Sequence, residues 1–175
     1  MAREAEGRMR RAVLLRAINV GGRRLAMADL RALCRAAGFA DAETVLASGN
    51  VVLGADADEA AIRAALEPPL ARLMGAPVPI FVRDAAELAA ILAANPFPAA
   101  DPSRLHVLFL QAAPRRDPMA RARNRVDEDL ACGRREIYLH TPSGIGRSRL
   151  RLPELDEGTA RNLNTVARLA ALTAA

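Results

Sequence analysis

A short apolar run at residues 12–18 ends in Asn19-Val20-Gly21-Gly22, and helical periodicity follows it. The run is too short for a stable isolated helix and far too short to cross a bilayer. Asn and paired Gly punctuate it as a turn, so it reads as a buried strand. Residues 26–37 then place Met27, Leu30, Leu33, Cys34 and Ala37 on one helical face. Asp29, Arg31 and Arg35 lie off that face, and Gly38 supplies the stop.

Each later element must be compatible with that strand-loop-helix start. In "ETVLASGNVVLG", residues 43–54, two β-prone runs flank Ser48-Gly49-Asn50, which is a hairpin signal. A second helix follows, capped by Asp56 or Asp58, with Ile62, Leu66 and Leu73 inward. Pro68-Pro69 is expected to break or kink it, because proline lacks the amide and clashes with the preceding turn. Residues 78–83 form a fourth strand. Asp84 and Glu87 stand at capping-box spacing and open a third helix, with Leu88, Ile91 and Leu92 inward. The order strand-helix-strand-strand-helix-strand is that of a ferredoxin-like unit.

"NPFPAADP", residues 95–102, ends the pattern. Beyond it "LHVLFL", residues 105–110, is apolar on both faces and suits a central strand. An arginine-rich stretch running to Cys132 is expected to be helical. "EIYLH" alternates, with Ile137 and Leu139 on one face and Tyr138 and His140 on the other. "TPSG", residues 141–144, suits a type I turn. A closing helix starts near Asn164, whose side chain can cap it, with Val166, Leu169 and Ala170 inward. The expected class is α+β. A disordered extension at 1–8 precedes a ferredoxin-like βαββαβ sub-domain at 9–95. A linker at 96–102 leads to a second small α+β sub-domain at 103–175. No internal repeat is expected beyond this loose two-half organisation, and translation could start at Met1 or Met9.

Composition narrows the function classes. No apolar run suits a membrane span or a signal peptide, so the expected location is cytoplasmic and the membrane is not a partner. Cys34 and Cys132 are far apart and have no neighbours at metal spacing. They read as free thiols, with no metal and no cofactor implied. The net charge is +5 and every basic residue is arginine, which points to coding bias. The basic excess lies in the second half, densest at Arg115, Arg116, Arg121, Arg123 and Arg125.

Three polar loops are candidate anion sites. "AINVGGRR", residues 17–24, fails as a P-loop: Ala17 replaces the first glycine, Arg23 the lysine, and Arg24 the magnesium-binding hydroxyl. Its amides and Arg23 could still hold a phosphate or carboxylate. "SGIGRSR", residues 143–149, and "RNLNT", residues 161–165, offer similar chemistry. Turn and cap roles for these residues weigh more in each loop taken singly. His106 and His140, both on strands, read as hydrogen-bonded within or beside the sheet rather than as an acid/base pair.

These motifs together resemble a bacterial family of unassigned function, the domain-of-unknown-function family sixteen ninety-seven. The resemblance rests on "LLRAINVGGRRLAMADLRALCRAAGF", "ASGNVVL", "NPFP", "LHVLFL", "EIYLHTPSGIGRSRL" and "ARNLNTVARLAAL", in that order. It implies an α+β chain of two small sub-domains, the first ferredoxin-like, and no activity, cofactor or catalytic residue. The sequence departs from the family pattern at Ala17, Arg23 and Leu163, where Gly, Lys and Trp are usual, and is short between Leu150 and Arg161.

The best functional expectation is binding of a small anionic ligand, bearing phosphate or carboxylate, in a polar cleft between the two halves. Its walls would be Arg16, Asn19, Gly22, Arg23, Ser48, Asn50, Arg147, Ser148, Asn162 and Asn164. Whether the chain is an enzyme stays open. Nucleic-acid binding through the second-half arginines is one alternative, disfavoured because stacking aromatics are scarce. A protein-interaction module, for example a homodimer, is the other.

Overall fold

The computed structural model describes residues 7–18, 22 and 24–175. The chain divides into two compact units: Met1–Glu87 with Leu169–Ala175, and Leu88–Arg168. The class is mixed α+β, with two antiparallel four-stranded sheets.

The first unit contains β1 (Arg10–Leu15), α1 (Met27–Ala36), β2 (Glu43–Val45), β3 (Asn50–Gly54), α2 (Glu59–Met74) and β4 (Ile80–Asp84). Its sheet order is β2-β3-β1-β4. Val13 lies opposite Val51 on one side and Val82 on the other, and Leu15 lies opposite Ile80. This alternation sends one apolar row towards Leu30 and Cys34 of α1 and Ile62, Leu66 and Leu70 of α2. Burial pushes the Cys34 thiol up to about 11, as suits a packing residue.

Local signals account for most of the boundaries. Asp58 caps α2, its carboxylate accepting from the Ala61 amide at 2.8 Å, and Gly75 closes it at φ 69°. Asp84 and Glu87 form the expected reciprocal box at 2.8 and 3.0 Å, and α3 (Ala85–Ala93) starts there. Pro68 and Pro69 do not break α2, contrary to expectation. Leu66 and Leu70 are buried on either side of them and hold both halves to one core. The buried row runs Ile62, Leu66, Leu70 and on to Met74 at intervals of four. Leu73 therefore sits beside the row and is exposed, not inward. Of the extension expected to be disordered, residues 1–6 fall outside the described residues, and Arg8 reaches Asp56 at 3.7 Å.

The second unit contains β5 (Leu105–Phe109), α4 (Pro118–Arg121), β6 (Asp129–Cys132), β7 (Glu136–His140), a 3-10 turn (Ile145–Arg147), α5 (Pro153–Glu157) and β8 (Thr159–Asn162). The chain ends in α6 (Leu163–Ala174). β5 is central, as its two apolar faces require. The arginine-rich stretch is not a long helix. Asp117 and Asn124 take positive φ (49° and 56°), leaving one helical turn between them, and β6 follows. The Thr141 carbonyl accepts from the Gly144 amide at 2.8 Å, closing the expected turn. The residue that caps α6 is Asn162, which accepts from the Thr165 amide at 3.0 Å, and Asn164 is exposed within the helix.

The sheet order is β6-β7-β5-β8, the same connectivity as in the first unit, with α4 and α5 in the places of α1 and α2. A sequence trace of this repeat is "RRLAMA" at 23–28 against "RRDPMA" at 115–120, one leading into α1 and the other into α4. Met27 and Met119 both pack on their own apolar cluster. The halves are thus more alike than their sequences suggest.

Candidate functional site

Three of the expected site residues meet at one end of the first sheet. The Arg16 amide donates to the Pro79 carbonyl at 3.0 Å, just past the end of β1. Asn50 is fully buried, and its side-chain amide donates to the Val45 carbonyl (2.9 Å) and the Ser48 hydroxyl (2.8 Å). The Leu15 amide donates to the Gly49 carbonyl at 2.8 Å, so the hairpin loop sits against the end of β1. Gly22 is exposed at φ 83°, a conformation that favours glycine. Asn19 and Arg23 lie outside the described residues.

The other four lie in the second unit and do not share one place there. Ser148 donates its hydroxyl to the Glu128 carboxylate, which is buried and directly precedes the edge strand β6. Asn162 ends the opposite edge strand, β8, where its side chain is engaged as a cap. Arg147 is exposed beside Ser148, in the wall of a cavity of about 530 Å³.

Glu128 fixes the backbone in that wall. It accepts from Ser148 and from the amides of Val126 (2.7 Å) and Asp127 (3.2 Å). The Ser148 bond, aided by these amides, holds its carboxyl below the usual range against the cost of burial. Ser148 in turn accepts from the Leu150 amide at 3.2 Å. Both Ser148 and Leu152 are extended, at φ −67°, ψ 136° and φ −155°, ψ 133°. The segment therefore alternates like a strand: Leu150 and Leu152 enter the apolar cluster, while Arg149 and Arg151 are exposed.

Arg151 is paired across a two-bond antiparallel bridge. The Arg123 amide donates to the Arg151 carbonyl at 3.0 Å, and the Arg151 amide to the Arg123 carbonyl at 2.9 Å. Residues so paired project their side chains to the same side. Both arginines are exposed, and both line a groove of about 1330 Å³ formed by residues 120–124, 148–153, 155 and 156. Among the described residues, no ion pair reaches Arg123, Arg147, Arg149 or Arg151.

Arg121, at the same groove, is bound instead. Its guanidinium meets Glu154 at 2.7 and 3.2 Å and donates to the carbonyls of Arg115 and Arg116. Glu154 is 1% exposed and also lies 3.4 Å from Arg115. Burial raises its carboxyl, but the bonds from Arg121 outweigh this and hold it below the usual range.

The histidines sit elsewhere. His140 faces the Phe97 ring at 5.7 Å between centroids. His106 departs from expectation: its Nδ1 is buried and, among the described residues, has no hydrogen-bond partner. Burial pushes its pKa down.

The expected cleft walls left out Arg123, which the sequence offered only as part of the basic cluster, Arg149, which it placed in the 143–149 loop, and Arg151, which it did not single out. The signal was the alternation of arginine and leucine in "RSRLRL", residues 147–152, which is strand periodicity. The chemistry on offer is anion capture by guanidinium groups on a rigid backbone.

Comparison with known proteins agrees with this architecture. The sequence matches the family described as "Protein of unknown function (DUF1697)" over residues 9–138. The chain belongs to this family. The matched span stops before the Arg147–Arg151 segment, so the family match does not extend to the groove's second wall. No curated protein matches the sequence. The solved structure of conserved bacterial protein SP0830 from Streptococcus pneumoniae is similar at a TM-score of 0.76 and 21% identity. The match covers 97% of this chain and 100% of that one. At that identity the likeness concerns the fold alone. No helix among the described residues is long and apolar enough to cross a membrane.

Proposed function

We propose that this protein binds an anionic ligand through the arginines of the second-unit groove. One observation carries the reading: Arg123 and Arg151 are held directly opposite each other, exposed and, among the described residues, without an ion-paired carboxylate. Like charges directly opposite across a β pair are destabilising. A phosphate or carboxylate between them converts that repulsion into charge-assisted hydrogen bonds. Arg149 on the same wall adds a third donor, and Arg147 and Ser148, two of the ten wall residues expected from the sequence, lie beside it.

Arg16, Ser48 and Asn50 remain a second polar place, at the end of the first unit's sheet. The Asn50 side chain is committed to Val45 and Ser48, so the second-unit groove is preferred. We read the βαββαβ order of each unit as ferredoxin-like, and the free thiols Cys34 and Cys132 suit a cytoplasmic setting.

The test is calorimetric titration with inorganic pyrophosphate at low ionic strength. The native chain should bind, and Arg123→Gln with Arg151→Gln should weaken binding at least about tenfold, the effect of about 1.4 kcal/mol. Unchanged affinity in the double variant would sink the assignment.

A further inference from the structure

We infer that the groove takes a single strand of nucleic acid along its phosphate backbone. This rests on the anion-binding reading and narrows it to one ligand class. Arg149 and Arg151 project from one side of an extended segment, which spaces their Cα atoms about 6.6 Å apart. That repeat is comparable with the spacing of successive phosphates on an extended strand. Arg123 faces the same row across the bridge, so one phosphate meets guanidinium groups from two sides.

Size points the same way. The groove's volume of about 1330 Å³ exceeds the roughly 300–1,000 Å³ usual for small-molecule sites. The neighbouring cavity of about 530 Å³ shares Asn124, Ser148 and Arg149 with it and adds Arg125 and Arg147. The basic track thus continues past the reach of one phosphate. The acids along it are largely engaged: Glu128 by Ser148, Asp127 by the Ser143 hydroxyl at 2.5 Å, leaving Asp156 at one wall.

The backbone holding this row is rigid. Leu150 and Leu152 anchor it in the apolar cluster, and the Ser148–Glu128 contact and the Arg123–Arg151 bridge pin it at both ends. Among the described residues, no aromatic side chain lines either cavity. Base stacking therefore contributes little, and binding is indifferent to base sequence and steep in salt.

The experiment is fluorescence anisotropy of a labelled oligothymidylate of about 15 nucleotides with the full chain. The same preparation is titrated with pyrophosphate. Four arginine–phosphate contacts, from Arg123, Arg147, Arg149 and Arg151, give a log–log salt slope of about −2.8 for a single strand, or about a 50-fold loss between 50 and 200 mM salt. Arg149→Gln with Arg151→Gln should lower that slope by about 1.4. Both side chains are exposed, so circular dichroism should match the native chain and melting should be no lower, since Arg151→Gln relieves the repulsion from Arg123. Pyrophosphate binding with no tighter oligonucleotide binding would overturn this inference and leave the anion reading standing. Failure of both ligands would overturn both. Oligonucleotide binding with an unchanged slope in the double variant would remove the strand from this groove.

Discussion

Tyr138 is the chain's only tyrosine and tryptophan is absent, so its phenol titrates without interference. It is 1% exposed, and its hydroxyl donates to the Ile91 carbonyl at 2.6 Å. That carbonyl needs the bond, because the Asn95 amide goes to Leu92 instead of continuing the helical ladder. Burial pushes the phenol up to about 12, with the nearby Glu136 charge adding to the rise. Between about pH 10, the ordinary value, and pH 12 the folded chain keeps a proton that the unfolded chain loses. Stability from this group is therefore complete below about pH 10 and falls by about 1.4 kcal/mol per pH unit above it. The loss reaches about 3 kcal/mol near pH 12.

The assay follows phenolate difference absorbance beside far-ultraviolet circular dichroism as pH rises. Phenolate should appear only near or above pH 12, or together with loss of helical signal. Tyr138→Phe serves as the reference. It cancels the contribution of other groups, including the buried Arg161, whose guanidinium burial pushes down. At neutral pH the same variant should lose about 1–3 kcal/mol, because the Ile91 carbonyl is left unbonded. A phenolate midpoint near pH 10 with an intact dichroism spectrum would refute the reasoning.

Glu154→Gln should cost about 1–3 kcal/mol in denaturant unfolding, below the cost for a fully buried pair because Arg115 and Arg121 can turn to water. The cost should shrink as pH falls through the lowered pKa of Glu154, since the native carboxylate then protonates too. Gly49→Ala places a methyl 2.5 Å from Ile18 Cδ1 at a residue with φ 81°, so both crowding and left-handed strain act against it. Its melting temperature should fall by several degrees, at about 2–4 °C per kcal/mol for a chain of this size; an unchanged value would show that Ile18 and the hairpin loop yield without cost.

Local chemistry was legible wherever one residue decides one bond. The Asp84–Glu87 box, the Thr141–Gly144 turn, the Ser48–Asn50 hairpin and the order of strands and helices in the first half all follow from short-range patterns. β6 was hidden because Leu130 is its only buried residue and four residues show no clear period. The Asn162 cap was misplaced by two residues, since either asparagine fits the start of α6 until the backbone direction is known.

The sequence by itself determined the class, the family and the buried strands at 12–18, 78–83, 105–110 and 136–140, because apolar periodicity and turn residues act over a few positions. Only the tertiary structure decided where the exposed arginines stand. Arg123 and Arg151 are far apart along the chain, and what sets them face to face is a backbone bridge beside the buried Leu150 and Leu152. Nor does either half's sequence reveal that both sheets share one connectivity, since strand order is set by pairing between segments distant in the chain.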